Sequence, residues 1–460
     1  MSIYKETIEK QRKFFKSEIT RDLRFRTNAL DKLEICIEEN TELLMEALKK
    51  DLGKAETESY MTEIGICFSE ISYMKDNLKR LSRSKKVKTP RAYIANTSRY
   101  VREPLGNVLI IVPWNYPVHL ALVPLAGAIA AGNTALIKVS SQVPETVKAL
   151  QKTINETFEE EYIHVADSTP GEDTGLLDER FDKIFFTGSP ATGSMVMEKA
   201  AKHLTPVTLE LGGKSPCIVT SDVDTDKAAK RICFGKFTNA GQTCVAPDYL
   251  LVHRDVKDKL IESLKKNIIE FYGIAAEESS DYGRIVNQTQ YHRLMSLIEG
   301  HDIVYGGYGN PEERFIAPTI VDCHEDEDLQ TPLMTEEIFG PILPVVSYTN
   351  INHAIRFINS RPKPLALYIF TREKILSDMV IDSTSSGGVC INDTLIHMTS
   401  QYLPFGGVGE SGIGQYHGEA SFDNFSHKKS IMAASRSIDT KLYPPYSISL
   451  DRLKSLMKFL

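Results

Sequence analysis

From residue 106 onward the chain alternates short, nearly continuous apolar runs with longer helical stretches. Residues 108–112, 134–139, 162–166 and 183–187 read as strands, with helices at 117–131, 144–158 and 190–202. Strands apolar on both faces need cover on both sides. That pattern predicts a parallel sheet with crossover helices, an architecture that holds nucleotides beyond the carboxyl ends of its strands. After Leu209 a second alternation begins, with strands at 216–220, 249–253, 315–321, 367–370 and 388–392 and helices at 224–237, 256–271, 351–359 and 373–384. The fold class is therefore α/β, with two such units in one chain.

Helical periodicity fills residues 3–81, where Leu30, Leu33, Ile37, Leu44 and Leu48 share one face and Asp51-Leu52-Gly53 closes a helix. Residues 82–103 turn basic, then strand-like around Tyr93, Ile94, Tyr100 and Val101, and read as an arm. Residues 403–430, rich in glycine and aromatic rings, read as a connection rather than helix or strand, and 450–460 as a short amphipathic helix, packed or frayed. A net charge of -7 argues against a nucleic-acid surface. Seven scattered cysteines without metal-ligand spacing, and no signal peptide, point to reduced thiols in the cytoplasm. The longest apolar stretch, 118–132, is too short to span a bilayer.

Against that background one cysteine stands out. Cys244 lies in a polar, turn-prone loop (Asn239-Ala240-Gly241-Gln242-Thr243-Cys244) between a helix and a strand, where a substrate can reach a thiol. The alternative is a small buried hydrophobe. Gly188-Ser189 ends a strand and opens a helix, with Gly193 further on, a turn suited to a phosphate. Two better-known patterns fail: Gly407 to Gly412 fits G-x-G-x-x-G but follows no buried strand, and Gly213-Lys214-Ser215 lacks the first glycine of a P-loop. Asn115, at the end of the first strand, is either a helix cap or a donor to an oxyanion. Glu210, between two leucines, is either paired with a lysine or a partly buried general base. His119 reads as a core histidine; His397 could touch substrate.

Together these stretches resemble the aldehyde dehydrogenase superfamily: Pro-Trp-Asn at 113–115, Lys138, Phe-Thr-Gly-Ser at 186–189, Glu-Leu-Gly-Gly at 210–213, Gly-Gln-Thr-Cys at 241–244, Glu-Ile-Phe-Gly-Pro at 337–341 and Pro-Phe-Gly-Gly at 404–407. The absent N-terminal extension, Tyr416-His417-Gly418 and Tyr443-Pro444-Pro445-Tyr446 resemble the class 3 type, of fatty and aromatic aldehydes. The resemblance implies a Rossmann-like cofactor domain (1–81 and 104–208), a second α/β catalytic domain (209–396), a small β-arm for oligomerisation (82–103 and 397–435) and a tail (436–460). It implies an NAD- or NADP-dependent dehydrogenase making carboxylic acids, dimeric, without metal. Cys244 would be the nucleophile, Asn115 and the Cys244 N–H would hold the oxyanion, and Glu210 would be the base, shared with or replaced by Glu337. Trp114, Lys138, Gly188, Ser189, Gly193, Glu337 and Phe339 would serve the cofactor. The family usually reads Lys-Pro-Ser-Glu where this chain has Lys138-Val139-Ser140-Ser141. Losing that carboxylate relieves repulsion of a 2′-phosphate, so NADP is expected to be accepted at least as readily as NAD. The rival readings are a coenzyme A-dependent acylating enzyme, against which Glu210 argues, and a non-catalytic scaffold. A cysteine hydrolase would instead need a histidine beside Cys244.

Overall fold

The structure, a computed structural model, describes residues 3–168, 175–324, 328–438 and 443–458. Parts of the expected domains (169–174 and 325–327) and of the expected tail (439–442 and 459–460) lie outside the described residues.

The first sheet has six strands in the order Gly412–Ile413, Val207–Glu210, Lys183–Thr187, Asn107–Val112, Thr134–Val139, Ile163–Val165. All pair in parallel except Gly412–Ile413, which runs antiparallel along Val207–Glu210. From Asn107–Val112 the chain passes to Thr134–Val139 on one side, then returns to Lys183–Thr187 on the other. That reversal opens a crevice at the carboxyl ends of these two neighbours, where 113–116 and 187–189 emerge. The connecting helix Pro117–Ala131 is buried along its whole length, as its unbroken apolar sequence requires. Against it pack the N-terminal helices, in which Leu30, Leu33, Ile37, Leu44 and Leu48 have no exposed surface.

The second sheet runs Asp302–Tyr305, Thr319–Cys323, Ile342–Tyr348, Tyr249–His253, Pro216–Val219, Ala366–Phe370, Gly388–Ile391, parallel but for its first, edge strand. A third sheet is antiparallel: Lys85–Val87, Thr97–Pro104 and Ser426–Ala433, the last two paired from Thr97↔Ala433 to Pro104↔Ser426.

Three expectations need correcting, and one strand was not expected at all. Residues 403–430 are more than a connection, since they contain the helix Glu419–Asn424 and most of the strand Ser426–Ala433. That strand is exposed on both faces, so its sequence carries no apolar alternation. Tyr93 lies in a 3-10 turn, Arg91–Tyr93, set up by Pro90, and the arm strand starts only at Thr97. The strand expected over 315–321 is two, Phe315–Ile316 and Thr319–Cys323, interrupted at Pro318, which has no N–H to donate. The central strand Ile342–Tyr348 went unread because Pro344 sits inside it. The C-terminal helix Leu450–Met457 leaves Leu450 63% and Met457 56% exposed, so it is not packed at its ends.

Candidate active site

The thiol is placed by an irregular turn. After the helix Thr225–Phe237, Asn239 (φ 53) and Ala240 (φ 50) take left-handed conformations that cost about 1–3 kcal/mol each, followed by Gly241 (φ 73). A Cβ at 241 would lie 2.3 Å from the Gly340 carbonyl oxygen, so only glycine fits. Hydrogen bonds hold the strain. The Asn239 N–H donates to Glu58 (2.8 Å), Gln242 Nε2 donates to the carbonyls of Asn239 and Arg284 (both 3.0 Å), and Gln242 Oε1 accepts the Val286 N–H (3.0 Å). Cys244 ends half-buried at the foot of the crevice; the other six cysteines are buried.

Around it the structure gathers nearly all the residues singled out in the sequence. Cys244, Glu210, Glu337, Asn115, Trp114, Phe339, Gly188 and Ser189, with Thr187 and Gln290, line a hollow of about 740 Å³. It adjoins a second, of about 1120 Å³, lined by Lys138, Ser140, Ser141 and Ser168 and sharing Trp114, Thr187, Gly188 and Ser189. Lys138 Nζ donates to the Asp167 carbonyl at 3.0 Å. Gly193 lines neither: a Cβ there would meet Leu211 at 2.7 Å, so it lets the helix Pro190–Ala201 close on the strand end. His397 and His119 also line neither hollow. Burial lowers the His397 imidazole to about 4 and, with His417 nearby, the His119 imidazole to about 3. Both are neutral at pH 7, and His119 Nε2 has no hydrogen-bond partner among the described residues.

Asn115 is 2% exposed and its Nδ2 donates to the Gln242 carbonyl at 3.0 Å, which leaves its second amide hydrogen for a ligand. On the opposite side stand two carboxyls. Both Glu210 oxygens are buried without a hydrogen-bond partner among the described residues, and burial alone raises its pKa far above the carboxylate range. No lysine pairs with it among the described residues; Lys214, four residues on, meets Asp248 (2.5 Å). Glu337 is pushed up to about 8 by burial and the charge of Asp248, against the Gly213 N–H and nearby Lys214 and Arg293. A Cβ on Gly212 would overlap Glu337 Oε2 at 1.9 Å, so any larger residue there would have to push that carboxyl from its place across the chain. Burial and the two carboxyls push the Cys244 thiol up to about 12. Lys236, fully buried with no partner for its Nζ among the described residues, is lowered to about 8 by burial. At rest the thiol and Glu210 hold their protons.

The crevice fits a dinucleotide. Thr187 Oγ1 is buried without a partner among the described residues and faces both hollows, and the Trp114 and Phe339 rings stand edge to face at 5.3 Å. Sequence reasoning missed Lys54, Glu58, Glu63, Tyr116, Thr243 and Lys236. Gln242 and Thr243 sat inside a quoted motif; Lys54 and Glu63 belong to an N-terminal helical region with no local signal.

A parallel sheet with a ligand crevice at its strand reversal, and a reachable thiol beneath it, defines a dinucleotide-dependent oxidoreductase. Residues 3–431 match the aldehyde dehydrogenase family, and the chain belongs to it. It is 47% identical to the 4,4'-diaponeurosporen-aldehyde dehydrogenase of Staphylococcus aureus, over all of both chains. The dimeric, NADP-preferring aldehyde dehydrogenase of Rattus norvegicus is 43% identical, over 98% of this chain and 100% of its own. A solved substrate-bound state of Staphylococcus aureus AldH superposes with a TM-score of 0.96 at 46% identity, covering 99% of this chain and 100% of that one.

Proposed function

We propose that the protein oxidises aldehydes to carboxylic acids with NAD or NADP through a covalent adduct on Cys244. The observation that carries this is the single hollow uniting the thiol, Asn115, Glu210 and Glu337 with the aromatic slot of Trp114 and Phe339. Ionised Glu337 takes the thiol proton, and the thiolate bonds to the aldehyde carbon. The free amide hydrogen of Asn115 and the Cys244 N–H hold the oxyanion. When bound, the nicotinamide supplies the two-electron acceptor. Glu210, once ionised, takes a proton from water as it attacks the thioester left on Cys244; the C–S bond breaks and the acid leaves.

Trp114, Phe339, Gly188, Ser189 and Lys138 would hold the cofactor, and Gly193 would support the turn beneath it. Ser140 and Ser141 lining the second hollow support acceptance of NADP, as does the rat relative's preference. The name of the bacterial relative supports a long apolar aldehyde, and that of the rat relative supports a dimer. Reduced thiols support a cytoplasmic setting. No helix among the described residues is long and apolar enough to cross a membrane.

The test is reduced-nicotinamide formation from a panel of aldehydes with each cofactor, by the wild type and Cys244→Ala. Free acid formed without coenzyme A, and lost in the variant, is the expected result. Turnover only with coenzyme A would favour the acylating reading, and none at all the scaffold.

A further inference from the structure

We infer that Lys54, paired with Glu63, is a positioning residue that fixes the Asn115 turn and thereby sets the strength of oxyanion stabilisation. This rests on the assignment of Asn115 made above. Neither Lys54 nor Glu63 exposes any side-chain surface. Lys54 Nζ bonds Glu63, donates to the Asn115 carbonyl at 2.9 Å and sits 3.9 Å above the Tyr116 ring. The other Glu63 oxygen accepts the N–H groups of Val118 (2.8 Å) and His119 (3.2 Å), in the first turn of Pro117–Ala131. One ion pair thus grips residues 115–119 by the carbonyl at one end and the amides at the other.

The partners of that turn lead to the thiol loop. Asn239 Nδ2 also donates to the Asn115 carbonyl (2.9 Å), and the Tyr116 hydroxyl meets Thr243 Oγ1 (2.8 Å). Taking two ions out of water costs several kcal/mol each, and an apolar pair of similar volume often stabilises a fold as well or better. Among the described residues, the hydrogen bonds of both side chains, beyond their own pair, go to the Asn115 turn. The local backbone suits this use. Gly53 (φ 67) reverses the chain just before Lys54, and Glu63 lies in a π turn, Tyr60–Ile64, a distortion frequent at functional sites.

The experiment compares steady-state kinetics of wild type, Lys54→Met/Glu63→Gln, Asn115→Ala and the combined triple variant, with octanal and NAD or NADP varied up to saturation. Changing both partners avoids leaving a bare charge. The expected result is a kcat lowered about 10- to 100-fold with the cofactor KM moved less than about twofold. In the Asn115→Ala background the same pair of changes should lower kcat by less than about twofold. Equal losses in both backgrounds, or no loss, would overturn the proposal. A wild-type kcat in Asn115→Ala would instead overturn the reading beneath it, and the proposal with it. If the paired variant melts below the assay temperature, Lys54→Arg takes its place, because it keeps the charge but alters the donor at Asn115. There a lost kcat at an unchanged melting temperature supports the proposal, and an unchanged kcat overturns it.

Discussion

The two walls of the crevice beside Cys244 are built on opposite principles. On the Asn115 side nearly every buried polar group has a partner: Lys54 with Glu63 and the Asn115 carbonyl, the Asn115 amide with Gln242, and Tyr116 with Thr243. On the carboxyl side, Glu210 has none for either oxygen and Lys236 none for its amine among the described residues. Satisfied networks rigidify, whereas unsatisfied ionisable groups store free energy and shift their pKa values. One wall therefore holds geometry and the other holds protons. The comparison also separates two buried lysines that look alike in sequence, one locked in an ion pair and one left poised near pH 8.

The comparison can be broken or sharpened by substitution. Cys244→Ala removes what both walls serve and should lower kcat by at least ~10^4-fold, read as reduced-nicotinamide formation. Asn115→Ala should cost about 10²–10³ in kcat with little effect on the cofactor KM. Glu210→Gln should cost about 10²–10⁴ in acid release, with an acyl burst persisting in pre-steady-state traces. The same change should raise unfolding free energy at pH 7 by on the order of 1 kcal/mol by denaturant titration. The sign follows from linkage, because the native Glu210 holds its proton at pH 7 while the unfolded one is ionised. If Lys54→Met/Glu63→Gln instead gives the same persistent acyl burst as Glu210→Gln, the two walls respond alike and the contrast fails.

A smaller effect is the pH profile. Glu337, raised to about 8, must ionise to take the thiol proton, so adduct formation should climb through a limb near pH 8, and Glu337→Gln should flatten it. Its native proton also costs stability as pH rises from the ordinary carboxylate range toward 8. The smallest is cofactor choice: Ser141→Glu should raise the KM for NADP more than that for NAD.

The candidate site was legible through family-like motifs, each in a short loop at a strand or helix end; local composition alone left Cys244 open to the reading of a buried hydrophobe. Cys244, Glu210 and Glu337 are of this kind, as is Gly212, where Glu337 crosses. The supporting wall was not legible. Lys54 and Glu63 are ordinary charged residues in a helical stretch, and only packing against a helix more than fifty residues away makes them a buried pair. Ile342–Tyr348 and Ser426–Ala433 were missed for the complementary reason: tertiary pairing overrode an internal proline in one and a polar sequence in the other.

The edge of the first sheet carries a consequence for synthesis. Glu210 ends the strand Val207–Glu210, whose open side is covered only by Gly412–Ile413, and the Leu211 N–H that follows donates to the Ser411 carbonyl. The covering segment is translated roughly 200 residues after Glu210, which at ribosomal speed is on the order of 10–40 s. During that interval Cys244 already exists but the strand beside its carboxyl does not yet have its last neighbour. The nascent chain therefore carries the thiol before it carries the finished site, and catalytic competence is among the last properties it acquires.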